Sequence, residues 1–130
     1  MDKISLRQKF SLITNTWNPR IVAELNGQYV KLVKFKGSFT WHHHDNEDEM
    51  FLVVKGRFRM EFKDTDSQAA RSSAQRDVWL EEGDFIVVPR GVDHRPVAEE
   101  EAEVLLFEPA TTLNTGNVEN EMTVEKLEWI

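Results

Sequence analysis

The sequence predicts an all-β domain, either a sandwich or a barrel, and three observations support this fold class. Short apolar runs are separated at close intervals by turn signals such as Asn26-Gly27, Glu82-Gly83 and Pro89-Arg90-Gly91. The 130 residues are the size of one domain, and no internal repeat is present. The composition is 40% hydrophobic with 8 Phe and 4 Trp, which is typical of a chain that buries a core.

The overall charge and the residue types exclude several classes of function. A formal net charge of −7 argues against nucleic acid as a partner, because nucleic-acid binding needs a basic surface. No apolar run is long enough to span a membrane, and the first 15 residues lack the apolar core of a signal peptide. We therefore expect a cytoplasmic protein. The chain has no cysteine, so any metal must be held by nitrogen and oxygen atoms.

The first elements are a short helix and a hairpin. Residues 5–13 predict a helix, because Ser5 and Gln8 have the spacing of a capping box and apolar residues fall near one face. Pro19 ends any helix and begins an extended segment. Residues 21–25 and 29–35 predict two strands joined by Asn26-Gly27, the strongest short hairpin signal.

The next two strands are predicted at residues 38–44 and 49–54, and both are apolar on both faces. Successive side chains of a strand point to opposite faces, so one face of each strand would line a barrel interior. Five large side chains would then point outward: Phe39, Trp41, Met50, Leu52 and Val54. We expect a homodimer to cover them, with cover by residues 5–36 of the same chain as the alternative.

Later segments predict further strands at residues 58–63, 78–80, 85–88 and 104–107. Residues 64–76 are polar and small, as in a solvated loop. Residues 99–103 form an acidic corner, and the tail from residue 109 is irregular, with apolar residues at its end that can dock.

The histidine-rich segment carries the strongest chemical signal. On a strand, His42 and His44 share one face, whereas His43 points to the opposite face and is not expected to be a ligand. Glu49 follows after a short acidic turn, and His94 is the chain's remaining histidine. Two imidazoles and a carboxylate from adjacent strands are suited to an open metal site, which one more ligand would complete.

The spacing of these residues resembles the two sequence motifs of the cupin superfamily over residues 37–98. Gly37, His42, His44, Glu49 and Gly56 match the first motif, with one residue fewer between Gly37 and His42. The second motif runs from Gly83 through Pro89 and Gly91 to His94, with Ala98 where the family has a non-ligating asparagine.

The resemblance implies a single-domain cupin jelly-roll β-barrel with a short N-terminal helix. We expect an N-terminal helix and lead-in over residues 1–18, the barrel over 19–110, and a tail packed on it over 111–130. The resemblance also implies a metal held by His42, His44, Glu49 and His94. Glu47 and Asp48 are alternative carboxylates, but the family spacing to Gly56 favours Glu49.

Nitrogen and oxygen ligands without thiolate indicate one divalent transition metal, which is Fe, Mn, Zn, Ni or Cu. In some cupins resembling this one the ligating glutamate also shuttles a proton, so Glu49 is the candidate catalytic residue. Single-domain cupins include phosphosugar-isomerase-like proteins, dioxygenases and lyases, and fold alone does not define the reaction. We expect a metal-dependent enzyme acting on a small oxygenated molecule, with a non-catalytic sugar- or acid-binding module as the alternative.

The pocket is predicted from the same alternation of strand residues. Side chains that would share the barrel interior with the ligands are those of Thr40, Phe51, Phe58 and Met60, which we take as candidate substrate-binding residues. This apolar lining favours a small carboxylate, enol or phenol over a phosphosugar. Arg90 and Arg95 flank the second motif and could hold an anion, although surface salt bridges are the favoured interpretation.

Overall fold

Eight strands and one short helix make up the described part of the chain, residues 1–63 and 75–130, in the computed structural model. The predicted all-β fold is confirmed. A loop was predicted at residues 64–76, and its residues 64–74 lie outside the described part of the chain. The elements in chain order are α1 (Leu6–Ser11), β1 (Arg20–Leu25), β2 (Gln28–Ser38), β3 (Glu49–Lys55), β4 (Phe58–Lys63), β5 (Gln75–Leu80), β6 (Phe85–Val88), β7 (His94–Pro109) and β8 (Glu128–Trp129).

The long strand β7 connects the other strands. It pairs along one edge with β2, while its other edge pairs first with β4 and then with β3. In this way the described strands form the order β5-β4-β7-β2-β1-β8, with β3 joined to both β7 and β6. The predicted acidic corner at residues 99–103 lies inside β7, where residues 99–101 are exposed and the pairing to β2 shifts register.

The N-terminal helix and the first hairpin follow the sequence prediction closely. The side chain of Ser5 caps α1 by accepting a hydrogen bond from the backbone N–H of Gln8 at 3.2 Å. β1 and β2 are joined at Asn26 and Gly27, whose φ angles of 52° and 79° are those of a tight hairpin turn.

Two apolar clusters hold these elements together. The larger cluster fills the interior and includes residues of β2, β3, β4 and β7, among them Phe35, Phe51 and Phe58. The second lies under α1, where Phe10 and Ile13 pack on Leu32, with partly buried Val54 and Leu105 beside them. The helix therefore covers part of the outer sheet face, as the single-chain alternative predicted.

The predicted strand over residues 38–44 is wrong. β2 ends at Ser38 and β3 begins at Glu49, and between them only His42 forms an isolated bridge, with His94. The N–H and C=O of His42 pair with the backbone of His94 at 3.1 and 2.9 Å. The rest of this segment crosses between strands as a loop, so strand pairing does not impose alternation along it. His42 and His44 are buried and His43 is partly exposed, as alternation predicts, but Phe39 is buried against that prediction.

The end of the chain returns to the beginning of the sheet. β8 pairs in parallel with β1, and the backbone N–H of Ile130 donates to the carbonyl of Ile21 at 3.0 Å. Among residues 1–63 and 75–130, no helix has the length and apolar character needed to cross a membrane.

Candidate metal centre

The four predicted ligands come together in the structure. His42, His44, Glu49 and His94 each offer one ligand atom, and these atoms all lie within 4.8 Å of one another. His42 and His44 come from the loop before β3, Glu49 begins β3, and His94 begins β7. All four side chains are buried, with exposed fractions of 1–4%. The group therefore lies inside the protein, at the point where β3 and β7 begin.

Backbone carbonyls orient two of the imidazole rings. Nδ1 of His42 donates to the carbonyl of Thr40, and Nδ1 of His94 donates to the carbonyl of Val92, each at 2.9 Å. Because a carbonyl oxygen can only accept, the hydrogen of each neutral ring is on Nδ1. The lone pair of Nε2 is therefore free in both rings, which is the arrangement found in metal-binding histidines.

The central atoms of this group lack ordinary hydrogen-bond partners. Nε2 of His44 and of His94 lie 2.8 and 3.3 Å from Oε1 of Glu49, and all three atoms are buried and unsatisfied. A proton on Nε2 of His44 would turn its contact with Glu49 into a hydrogen bond. The lone pair on Nε2 of His94 would still face a lone pair of the Glu49 carboxylate oxygen. A cation placed among these atoms would satisfy all of them, so the residues present fit a metal.

Burial keeps the His42 ring neutral. Desolvation, followed by the positive charge that a protonated His94 would carry, lowers the pKa of His42 from 6.5 to about 4. A neutral imidazole is the form that coordinates a metal. The His42 ring is therefore ready to bind a cation at neutral pH without first losing a proton.

A second buried carboxyl group, Glu108, lies beside Glu49. Glu108 is 2% exposed, and its Oε1 accepts from Nζ of the equally buried Lys31 at 2.8 Å. Lys31 also donates to the carbonyl of Thr112 at 3.4 Å. Sequence reasoning missed this pair, although alternation could have found Glu108, since Val104 and Leu106 on the same face of β7 are buried too.

The two neighbouring carboxyl groups have opposite pKa shifts. Burial, together with the charge of Glu49, raises the pKa of Glu108 well above its usual value. Burial would also raise the pKa of Glu49, but its interactions with the Glu108 carboxyl group and with the His44 and His94 rings outweigh burial and hold the pKa well below the usual value. A proton in this pair therefore resides on Glu108, and Glu49 remains an anionic ligand.

A small cavity of about 30 Å³ adjoins the group. Its walls are mostly apolar, and the polar side chains that reach it are two carboxyl groups, an imidazole and an amide. The lining residues are Trp17, Pro19, Val33, Phe35, Phe39, His42, Glu49, Phe51, Pro96, Leu106, Glu108 and Asn114.

The predicted pocket residues are placed differently from one another. Phe51 lines the cavity, whereas Phe58 and Met60 are fully buried in the main cluster and are not among its lining residues. Thr40 is also outside the lining, and its hydroxyl lies 3.4 Å from Nδ2 of Asn120. Phe39 was expected to face outward; this is wrong, because the loop conformation turns it into the cavity, where it is 8% exposed.

His43 is not part of the four-residue group. Its Nδ1 lies 2.9 Å from the carboxylate of Asp93, and its Nε2 lies 3.0 Å from that of Asp45. The hydrogen bond with Asp93 is the main cause of a raised pKa for His43. A ring with a carboxylate at each nitrogen has no lone pair directed at the other histidines.

The alternative carboxylates also lie outside the group. Oε2 of Glu47 accepts from the hydroxyl of Thr111, and Oδ1 of Asp48 accepts from the backbone N–H of Arg90, each at 2.8 Å. The Arg90 guanidinium is exposed and lies 3.5 Å from Asp48. Glu47 and Asp48 therefore make contacts at the surface of the loop and are not directed at the four-residue group.

The C-terminal segment holds the histidine loop in place. The N–H of Asn117 donates to the carbonyl of His43 at 3.0 Å, and Oδ1 of Asn117 accepts from the His43 N–H at 2.8 Å. Gly116 packs so closely that a Cβ there would lie 2.1 Å from the same carbonyl. Only glycine fits this position, and no short-range sequence signal pointed to the contact.

Comparison with known proteins is consistent with this site. The family model described as the cupin domain matches residues 29–108 of the chain. The crystal structure of a cupin-2 domain containing protein from Shewanella frigidimarina is 38% identical, covers 82% of this chain and 93% of its own, and superposes with a TM-score of 0.72.

More distant proteins are similar over parts of their length. The uncharacterized protein YdbB of Bacillus subtilis is 31% identical over 74 residues, which are 57% of each chain, so the match spans little more than half of this curated relative. Hydroquinone 1,2-dioxygenase from Sphingomonas sp. TTNP3, solved with 4-hydroxybenzoate bound, is 20% identical, with a TM-score of 0.71 over 85% of this chain and 32% of its own. This last likeness is one of fold.

Proposed function

Because this chain belongs to the cupin family, we propose that it is a metal-dependent cupin that acts on a small oxygenated molecule. One observation supports the metal above all others. Three buried ligand atoms, Nε2 of His44, Nε2 of His94 and Oε1 of Glu49, face each other without hydrogen-bond partners. The folded chain places them together at a cost that a bound cation would offset.

His42, His44, Glu49 and His94 would hold one divalent transition metal, which is Fe, Mn, Zn, Ni or Cu. Such an ion, when bound, polarises an oxygen of a ligand and lowers the pKa of bound water, and Fe or Cu adds redox chemistry. The protein supplies fixed imidazoles, because Thr40 and Val92 hold two of the rings through their backbone carbonyls.

The remaining residues of the cavity define the ligand. The carboxyl groups of Glu49 and Glu108 face each other at the cavity, and we propose Glu49 as the catalytic residue that exchanges a proton with the ligand. No lysine or arginine is among the lining residues that the structure describes, so a phosphate would have no counter-ion away from the metal. A small carboxylate or enol suits these walls better than a phosphosugar, whereas a phenol would need a wider cavity. An isomerase, lyase or dioxygenase reaction is compatible with them.

The test is metal analysis followed by turnover assays. We expect the natively purified protein to contain about one transition metal ion per chain, and a chelator to lower its melting temperature at pH 7.5. Consumption of a substrate in air but not under nitrogen would identify a dioxygenase, and consumption in both an isomerase or lyase. Binding without turnover would instead favour the non-catalytic module, and absence of any metal binding would contradict the proposal.

We further propose that the protein is a homodimer that buries an outer patch made of Met50, Leu52, Phe85 and Val87. Met50 pairs directly with Val87 and Leu52 with Phe85, so these side chains share one face of β3 and β6. Phe85 and Val87 are 62% and 52% exposed in the single chain. Light scattering should give twice the chain mass, and Phe85→Glu should reduce it to one chain mass. A single-chain mass for the unchanged protein would refute the dimer.

A further inference from the structure

Trp17 closes the cavity beside the histidines, although it lies outside the sheet. It belongs to the segment between α1 and β1, and its indole stacks on Phe35 and Phe39 with ring centroids 4.5 and 4.8 Å apart. Phe39 in turn contacts the His42 ring edge-on at 5.4 Å. The indole is therefore separated from a candidate metal ligand by a single aromatic ring.

The backbone of Trp17 has an unusual conformation. Its φ of 59° lies in the left-handed region, which a bulky side chain rarely adopts because Cβ crowds the neighbouring carbonyl. Two hydrogen bonds hold this conformation against β2. The backbone N–H of Trp17 donates to the carbonyl of Lys34 at 2.9 Å, and indole Nε1 donates to the carbonyl of Lys36 at 2.7 Å. Strain of this kind is often found where a side chain has a functional position.

The small volume of the cavity indicates that the conformation of Trp17 restricts the space beside the histidines. About 30 Å³ leaves room for only about two water molecules, whereas sites for organic ligands are about ten or more times larger. Most of the walls are strand residues such as Val33, Phe51 and Leu106, which cannot retreat without breaking the sheet. Trp17 is the largest side chain of the lining that comes from outside the strands.

We propose that Trp17 is a specificity-determining residue that limits the size of the ligand able to reach His42 and Glu49. The inference rests on the proposed function, since it assumes that a ligand binds beside the metal. In the native protein the site accepts compact oxygenated ligands, such as a short carboxylate or enol. An aromatic ring fits only when the indole is displaced or removed.

The test uses two carboxylates of different size, acetate and benzoate, titrated by calorimetry into protein loaded with Zn²⁺. We expect Trp17→Ala to raise the affinity for benzoate at least tenfold and to change the affinity for acetate less than twofold. Trp17→Phe should be intermediate. The matched control is Trp79→Ala, because Trp79 is 42% exposed on β5 and is not a lining residue.

The ratio of the two affinities separates a specificity role from a structural one. A general loss of stability would weaken both ligands together and leave the ratio unchanged. An unchanged benzoate-to-acetate ratio in Trp17→Ala would overturn the proposal, and so would a tenfold rise in the Trp79→Ala control.

A second measurement does not depend on the metal. Fluorobenzene added to metal-free Trp17→Ala should enter the enlarged cavity and shift the ring resonances of His42 and His94, as followed by NMR. Phe10→Ala opens a cavity in the separate cluster under α1, so the same resonances should not move in that control. If Zn²⁺ does not bind but these shifts occur, the proposed function fails while the role of Trp17 stands. If neither variant shows shifts, Trp17 does not control the cavity.

Discussion

Glu49 and Glu61 are two carboxylates buried to the same degree, but they have opposite surroundings. Glu49 is 4% exposed and Glu61 is 3% exposed. Both oxygens of Glu61 are satisfied by guanidinium groups, from Arg59 at 2.8 Å and from Arg95 at 2.6 and 2.9 Å. Glu49 faces His44 and His94, and its Oε1 has no hydrogen-bond donor.

The difference separates a structural carboxylate from a functional one. Burial would raise the pKa of Glu61, but hydrogen bonds from Arg59 and Arg95 lower it. The Glu61 carboxylate is therefore fully paired with two permanent cations. Arg95 also stacks on Trp41 at 4.9 Å, which accounts for this arginine without an anionic substrate. Glu49 has similar burial without a permanent cation, and the folded chain leaves a position among its neighbours that a metal ion fits.

The largest expected effect comes from removing a ligand. Glu49→Gln keeps the volume of the side chain but removes its charge, and His94→Ala removes an imidazole. Each should lower metal affinity by more than about 100-fold, the upper range for residues that only support a ligand. Metal content after dialysis, measured by elemental analysis, checks this. Glu61→Gln is the matched control and should keep its metal, while full metal content in His94→Ala would contradict the site.

The second prediction concerns the pH dependence of the metal-free protein. The pKa of His42 is about 4 in the folded chain and 6.5 when unfolded. As the pH falls below 6.5, the unfolded state therefore takes up a proton on His42 before the folded state does, and protonation favours unfolding. This contribution to stability is complete above pH 6.5 and is lost as the pH falls to 4, by a total of about 3 kcal/mol.

Urea unfolding of metal-free protein at pH 7.5 and 4.5 measures the loss. His42→Gln should remove much of the pH dependence over this range. The lowered pKa of Glu61 acts in a different window, because its contribution is present above the ordinary glutamate pKa and is lost only at lower pH. The raised pKa of Glu108 acts in the opposite sense but is common to both proteins, so the comparison with His42→Gln isolates the histidine. The same pH dependence in His42→Gln and in the unchanged protein would show that burial does not keep His42 neutral.

The third prediction concerns Glu61 itself. Glu61→Gln leaves Arg59 and Arg95 with a weaker acceptor, and we expect the free energy of unfolding to fall by about 1–3 kcal/mol at pH 7. Glu100→Gln, on an exposed position of β7, should change it by less than about 0.5 kcal/mol. Equal effects of the two changes would mean that burial of Glu61 has no energetic consequence.

The smallest effect is expected at His43, the neighbour of two ligands. His43→Ala removes ion pairs with Asp45 and Asp93 whose side chains are 73% and 33% exposed, so it should cost less than about 1 kcal/mol. Metal stoichiometry and affinity should remain within about twofold of the unchanged protein, which elemental analysis and competition with a chelator can measure. Loss of the metal in this variant would show that the ring has a role in the site that its contacts with aspartates do not reveal.

The residue types and their spacing determined much of this protein. The Asn26-Gly27 turn, the cap at Ser5 and the apolar runs predicted the first elements, because these signals act between residues close in sequence. The spacing of His42, His44, Glu49 and His94 likewise identified the four side chains that the folded chain brings within 4.8 Å.

Only the tertiary structure decided what surrounds that group. The alternation of strand residues wrongly sent Phe39 outward, because regular pairing of β2 ends at Ser38. Beyond it the backbone meets β7 through single contacts, from the Phe39 N–H to the Pro96 carbonyl and between His42 and His94. Trp17, Glu108 and Lys31 reach the site or its immediate surroundings from other parts of the chain, and only Glu108 is marked by a local pattern, the alternation along β7. Local signals reflect interactions between near neighbours in sequence, whereas the cavity and its charges arise from packing between segments as far apart as Lys31 and Glu108.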